Sequence, residues 1–340
     1  MSMTSWPVLA PFPLLRHRRL RQAPWIRDLV AESRLSPQDL IWPIFVIEGK
    51  GQELPIASLP GVNRLSIDVM LKRVEEAQRL GITMVALFPV VDLALKTPDG
   101  REALRPDNLI CRAIKAIKEK FPNIGIMADA ALDPFTSHGH DGVMNEEGAI
   151  LNDATVKILQ QQARLQAEAG ADVISPSDSM DGRIGAIRQT LENAGLTDKI
   201  ILSYAVKYAS SYYGPFREAV GSSASLGKAG KHTYQMDFRN GNEALREVAA
   251  DLAEGADIVM VKPGMAYLDI VQRVKSAFAV PVFAYQVSGE YAMMKTAGQA
   301  GYLDYDQVML ESLMGFRRAG ADAIVSYAAV EIAKRLVKNT

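Results

Sequence analysis

The sequence predicts a (β/α)8 barrel preceded by an extended N-terminal arm, and three observations carry that prediction. Eight short apolar runs recur along the 340 residues. Segments of helical period separate them. Three of the links from helix to strand share one pattern, written EAGADV, EGADIV and RAGADAIV. Strands buried on both faces read as continuous apolar runs rather than alternating ones, which is the signature of a parallel sheet covered by helices. A doubly wound open sheet shares this alternation, but it normally places a glycine-rich phosphate loop after its first strand. Here EGKGQELPIASLPG follows that strand and opens no helix.

The elements follow in order. Residues 1–39 precede the first strand and contain RHRRLRQAPWIRDLVAESRL, a basic stretch leading to a short amphipathic helix. Trp25, Ile26, Leu29 and Val30 form its apolar side, a face that predicts packing on another subunit. The strands are expected at 40–47, 83–90, 124–132, 172–176, 200–206, 257–261, 280–287 and 323–328. Helices are expected at 66–80, 108–121, 154–169, 185–194, 242–254, 266–278 and 306–319. Ser66 is a candidate N-cap and Gly81 a stop. In the three repeated links a glycine ends the helix and Ala-Asp leads into the next strand. Residues 208–241, rich in glycine and serine, interrupt the fifth βα unit and read as a lid over the mouth of the barrel.

Composition narrows the function classes. There are 38 Lys and Arg against 39 Asp and Glu, a formal net charge of −1, so nothing favours nucleic acid or an anionic membrane as partner. Cys111 is the single cysteine, which excludes a disulfide framework and a cysteine-rich metal site. No apolar run is long enough to span a membrane. The expected setting is the cytoplasm.

Barrel chemistry sits at the C-terminal strand ends. Those ends carry Asp129, Asp133 and Asp141 on the third unit, and Ser175, Asp178 and Asp181 on the fourth. Lys207 ends the fifth strand and Lys262 the sixth. Ser288 follows the seventh, and Tyr327 lies in the eighth. A lysine at the end of an apolar run faces a confined mouth, where desolvation and a second ammonium favour the neutral amine. A neutral amine attacks a ketone to form a Schiff base. One such lysine suits an aldolase; two on consecutive strands suggest two carbonyl substrates, or one lysine tuning the other. Arg217 and Lys231 in the lid are cations suited to clamping a carboxylate. His138 and His140 stand among acids in TSHGHDG, an oxygen-rich set better matched to a hard cation than to zinc.

SPSDSMDGRIGAIR, SYAVKYASSYYGPFREA, TYQMD, ADIVMVKPGMAYLDI and YQVSGEYAM together resemble the δ-aminolevulinic acid dehydratase (porphobilinogen synthase) family from about Arg16 to about Leu336. The resemblance implies a lyase that condenses two 5-aminolevulinate molecules to porphobilinogen, with loss of two waters, in haem and other tetrapyrrole synthesis. It implies Schiff bases at Lys262, for the substrate that becomes the propionate side, and at Lys207, for the acetate side. Ser288 and Tyr327 would hold one carboxylate. Arg217 and Lys231 would hold the other, with Gln235 nearby. Asp129 and Ser175 would line the site. A Schiff-base aldolase on the same barrel is the alternative.

Zinc-using members of that family carry three cysteines at positions that here are Ala131, Asp133 and Asp141. A catalytic zinc is therefore not expected. The resemblance implies an allosteric Mg2+ at Glu247, and a homo-oligomer joined through the arms, an octamer with a hexamer or dimer as alternatives.

Overall fold

A computed structural model describes residues 10–221 and 230–338. The chain divides into two compact units between Arg34 and Leu35. The first holds two short turns of helix, His17–Arg21 and Pro24–Leu29. Trp25 and Leu29 of the expected apolar side are exposed. The expected arm ended at residue 39, but residues 35–39 belong to the second unit. Pro37 there lies against the turn at Gly81, and Asp39 pairs with Arg317 at 3.7 Å.

The second unit is a closed barrel. Its strands are β1 (Leu40–Ile47), β2 (Glu53–Pro55), β3 (Asn63–Ser66), β4 (Met84–Pro89), β5 (Gly125–Ala130), β6 (Val173–Pro176), β7 (Ile200–Lys207), β8 (Ile258–Lys262), β9 (Val282–Gln286) and β10 (Ala323–Ser326). β1 and β4 to β10 pair in parallel in chain order, and β10 closes on β1 through Leu40 and Ile41. These eight strands are the eight apolar runs. β2 and β3 were not expected: three and four residues long, they form an antiparallel pair on the upper half of β1. β2 is fully exposed, so it lacks the apolar run by which the others were recognised.

Each expected helix forms within a few residues of its predicted bounds. Ser288–Gln299 and Ala329–Lys338 were not expected. In SGEYAMMKTAGQ, glycine and alanine thin the apolar stripe to Tyr291 and Met294, which hides the helical period. Its first turn is fixed instead by Glu290, whose buried carboxylate accepts the Val287 amide at 2.9 Å.

The repeated glycine-alanine-aspartate link has a structural cause. Gly255 and Gly320 both turn at φ 103°, where any other residue is strained. The aspartate that follows reaches sideways to the foot of the preceding strand. Asp172, Asp257 and Asp322 accept the amides of Ile126, Ile201 and Val282 at 2.7–2.8 Å. Lys118, Arg188 and Lys275 complete these contacts as ion pairs. The motif therefore joins neighbouring strands at the floor of the barrel, opposite the face that carries chemistry.

Candidate active site

β7 and β8 position the two lysines. Their register runs Leu202 to Ile258 and Ser203 to Val259, then shifts so that Val206 pairs Val261 and Lys207 pairs Lys262. One extra residue of β7 is absorbed between Ser203 and Val206. Because side chains alternate along a strand, such a bulge reverses which residues face inward. Ser203, before it, bonds outward to Asp251, while Tyr204 turns its ring toward Lys262. Lys207, after it, lines the same cavity as Lys262. Regular alternation from Tyr204 would have put Val206 there instead.

Lys262 is buried among aromatic rings. Its Nζ lies 4.6 Å from the ring centre of Tyr285, 4.9 Å from Tyr204, 5.3 Å from Phe216 and 5.6 Å from Tyr213. Ring faces attract an ammonium, but they do not replace its water. Burial, and then the charge of Lys207, pull the Lys262 amine down to about 7. Lys207 is held differently: its Nζ donates to the Ser177 carbonyl and lies 3.5 Å from Asp141.

Asp141 is the hub of the charged half of the site. It is buried, which disfavours its charge, yet Lys207 and Lys231 outweigh that and hold its carboxyl far below the usual range. Lys231 pairs with it at 2.6 Å and with Asp133 at 3.3 Å. Tyr234 donates to it at 2.8 Å, and His140 Nδ1 stands 3.2 Å from the same tyrosine hydroxyl. The acids expected to suit a cation are thus met by lysines, and the two histidines are tied into the loop by hydrogen bonds. Among the described residues no cluster of three or more His, Cys, Asp or Glu side chains is arranged to hold a metal ion.

Asp129 and Ser175 are register partners on β5 and β6. The Asp129 Oδ1 and the Ser175 Oγ are closed off from solvent without a hydrogen-bond partner. Burial, then the Asp133 charge, raise the Asp129 carboxyl to about 7, against the pull of Lys262.

A cavity of about 30 Å³ lies between Asp133, Lys207, Phe216, Arg217, Lys231 and Lys262. It holds a water or two and is far below the few hundred Å³ of an occupied ligand site. Arg217 and Lys231 also line an adjoining groove of about 400 Å³, together with Gln235 and Tyr267. Ser288 and Tyr327 do not line this cavity. Phe216 links them to it: its amide donates to the Ser288 Oγ at 3.0 Å, and its ring meets Phe45, which stacks on Tyr327 at 5.9 Å. Glu247 lies outside it too. It lines a neighbouring groove of about 450 Å³ together with Asp181, Gln235 and Lys207. The expected lid, 208–241, begins with the short helix Gly214–Ala219; its stretch 222–229 lies outside the described residues.

The aromatic box around Lys262 was not foreseen. Tyr204, Tyr213 and Phe216 stand in the motifs SYAVK and YYGPFREA, but their convergence on one amine is a tertiary fact.

The delta-aminolevulinic acid dehydratase family model matches residues 14–335. The chain belongs to this family. It is 56% identical over 322 residues to the delta-aminolevulinic acid dehydratase of Bradyrhizobium diazoefficiens, covering 95% of this chain and 91% of that protein. It is 53% identical to that of Rhodobacter capsulatus, covering 96% and 98%. A crystal structure of the Toxoplasma gondii dehydratase with its product porphobilinogen superposes with a TM-score of 0.94 at 49% identity, covering 96% of this chain and 92% of that one. The barrel and the activity read from the sequence are those of this family: the chain is a hydro-lyase with porphobilinogen synthase activity. Among the described residues no helix is long and apolar enough to cross a membrane.

Proposed function

We propose that the dehydratase works through two Schiff bases, with Lys262 binding the 5-aminolevulinate that becomes the propionate side and Lys207 the one that becomes the acetate side. The register that sets the two amines side by side is the observation that carries this reading. Lys262 attacks first, because burial leaves its lone pair available near neutral pH. Loss of water gives an iminium, an electron sink that acidifies the neighbouring carbon. The acetate-side substrate on Lys207 loses a proton to form an enamine, whose carbon attacks the iminium carbon on Lys262. The propionate-side amino group then closes the ring on the carbon that bears Lys207, expelling that amine, and loss of Lys262 and a final proton gives the pyrrole. Asp129, with a raised carboxyl beside Lys262, is suited to passing protons in these steps. Arg217 and Lys231, with Gln235, grip one carboxylate. Ser288, at the start of a helix, and Tyr327 grip the other.

Glu247 is our candidate for an allosteric Mg2+. Its half-buried carboxyl is raised by desolvation and then by the acid Asp251, with Asp181 and Glu243 adding to the effect. Arg183, paired with Asp251 at 3.2 Å, pulls the other way, so Glu247 would offer a single carboxylate to a hydrated hard cation whose remaining ligands are water. Lys231 already compensates Asp133 and Asp141, in keeping with a site that works without zinc. The exposed Phe12, Leu14, Trp25 and Leu29 of the first unit support assembly through the arms, up to an octamer. We assign the enzyme to the cytoplasm, where a lone buried thiol stays reduced.

The experiment is pyrrole formation from 5-aminolevulinate, with and without chelator and added Mg2+. Activity that falls with chelator and returns with Mg2+, but not in Glu247→Ala, is expected. Equal activity with and without chelator overturns the Mg2+ assignment, and absence of pyrrole under every condition overturns the lysine mechanism.

A further inference from the structure

Lys96 is a further lysine buried near this site, and the mechanism above does not use it. It retains 8% of its surface, and its Nζ is closed off from solvent with no hydrogen-bond partner. The backbone fixes it beside the acidic loop. Thr97 donates its amide to Phe135 at 3.2 Å and accepts that of Ser137 at 3.0 Å, so residue 96 is stitched to the segment that carries Asp133. A buried amine without a partner is costly and needs a reason.

Charge balance supplies one. In the free site Asp133 and Asp141 face Lys207 and Lys231. A substrate carboxylate adds a negative charge and draws on Lys231, which leaves the buried Asp133 without its ion pair. Removing one partner from a buried pair is strongly unfavourable unless another cation takes over. We propose that Lys96 is the reserve counter-ion of Asp133, carrying its charge when Lys231 turns to the substrate. Burial lowers the Lys96 hold on its proton, and the Asp133 charge partly restores it. Lys96 is then a positioning residue that touches no substrate. The inference rests on the reading of Lys231 as a carboxylate clamp.

The test is steady-state pyrrole formation by the full-length enzyme carrying Lys96→Met, Asp133→Asn, both, or Lys231→Met, with thermal melting of each free protein. Lys96→Met is expected to raise KM for 5-aminolevulinate by roughly tenfold, within the range of coupled neighbours, without lowering the melting temperature. On the Asp133→Asn background the same change is expected to move KM by less than about twofold. An equal KM effect on both backgrounds, or a lowered melting temperature with KM unchanged, overturns the proposal. Lys231→Met separates the two readings: if it leaves KM unchanged, the clamp itself fails; if it raises KM while Lys96→Met does not, only the reserve role fails. Should Lys96→Met not fold, Lys96→Gln takes its place with the same outcomes.

Discussion

In the proposed mechanism the Lys262 amine is the residue on which the chemistry turns. Its environment pulls it down to about 7, so lowering the pH through that value protonates it and removes the nucleophile. We therefore expect kcat/KM to rise between about pH 6 and 8 and to flatten above, in a pH profile of pyrrole formation. Phe216→Leu opens one wall of the aromatic box and rehydrates the amine, which is expected to shift that rise to higher pH. Lys262→Ala is expected to lower kcat by a factor on the order of 10^3 or more, since a covalent nucleophile is not replaced by binding alone. The two lysines were legible in the sequence because each ends an apolar run. What held each one was not. Lys262 depends on rings from β7, β9 and the lid, and Lys207 on a backbone carbonyl after β6, and no spacing rule brings those together.

The bulge in β7 is the element that lets Tyr204 and Lys207, three residues apart, face the same cavity. ILSYAVK reads as an ordinary buried strand, with no glycine to mark the shift. It is detected only by pairing with β8. Deleting Ala205 removes the extra residue, so Tyr204, Val206 and Lys207 would follow Met260, Val261 and Lys262 in unbroken alternation; Lys207 is expected to stay in the cavity and pyrrole formation to survive, with circular dichroism reporting an intact barrel. A second element, the helix Ser288–Gln299, fastens the lid. A Cβ on Gly289 would stand 2.6 Å from the Tyr212 carbonyl oxygen, backbone that does not yield easily. Gly289→Ala is therefore expected to loosen residues 211–221, seen as faster proteolysis there and a higher KM, with little change in global melting. At the other end of the barrel the aspartates of the repeated links do structural work alone. Asp257→Ala loses a backbone hydrogen bond and a part-exposed ion pair, so it should cost about 1–2 kcal/mol in denaturant melts and leave kcat unchanged.

At the scale of the whole molecule, eight apolar runs were enough to name the barrel, because burial on both faces leaves a strand few polar positions. The two short strands and the helix after β9 were not legible, since β2 is solvent-exposed, β3 is only four residues long, and the helix has a thin apolar stripe. The site divides the same way. Charged residues at strand ends could be read in order, whereas the ion pairs that close the cavity on Lys231 required the fold. That two adjacent lysines each bind a substrate ketone is tested by borohydride reduction in the presence of 5-aminolevulinate, followed by peptide mass spectrometry. Reduced adducts are expected on Lys262 first and on Lys207 as substrate concentration rises. Pyrrole formation with no adduct on either lysine would contradict it.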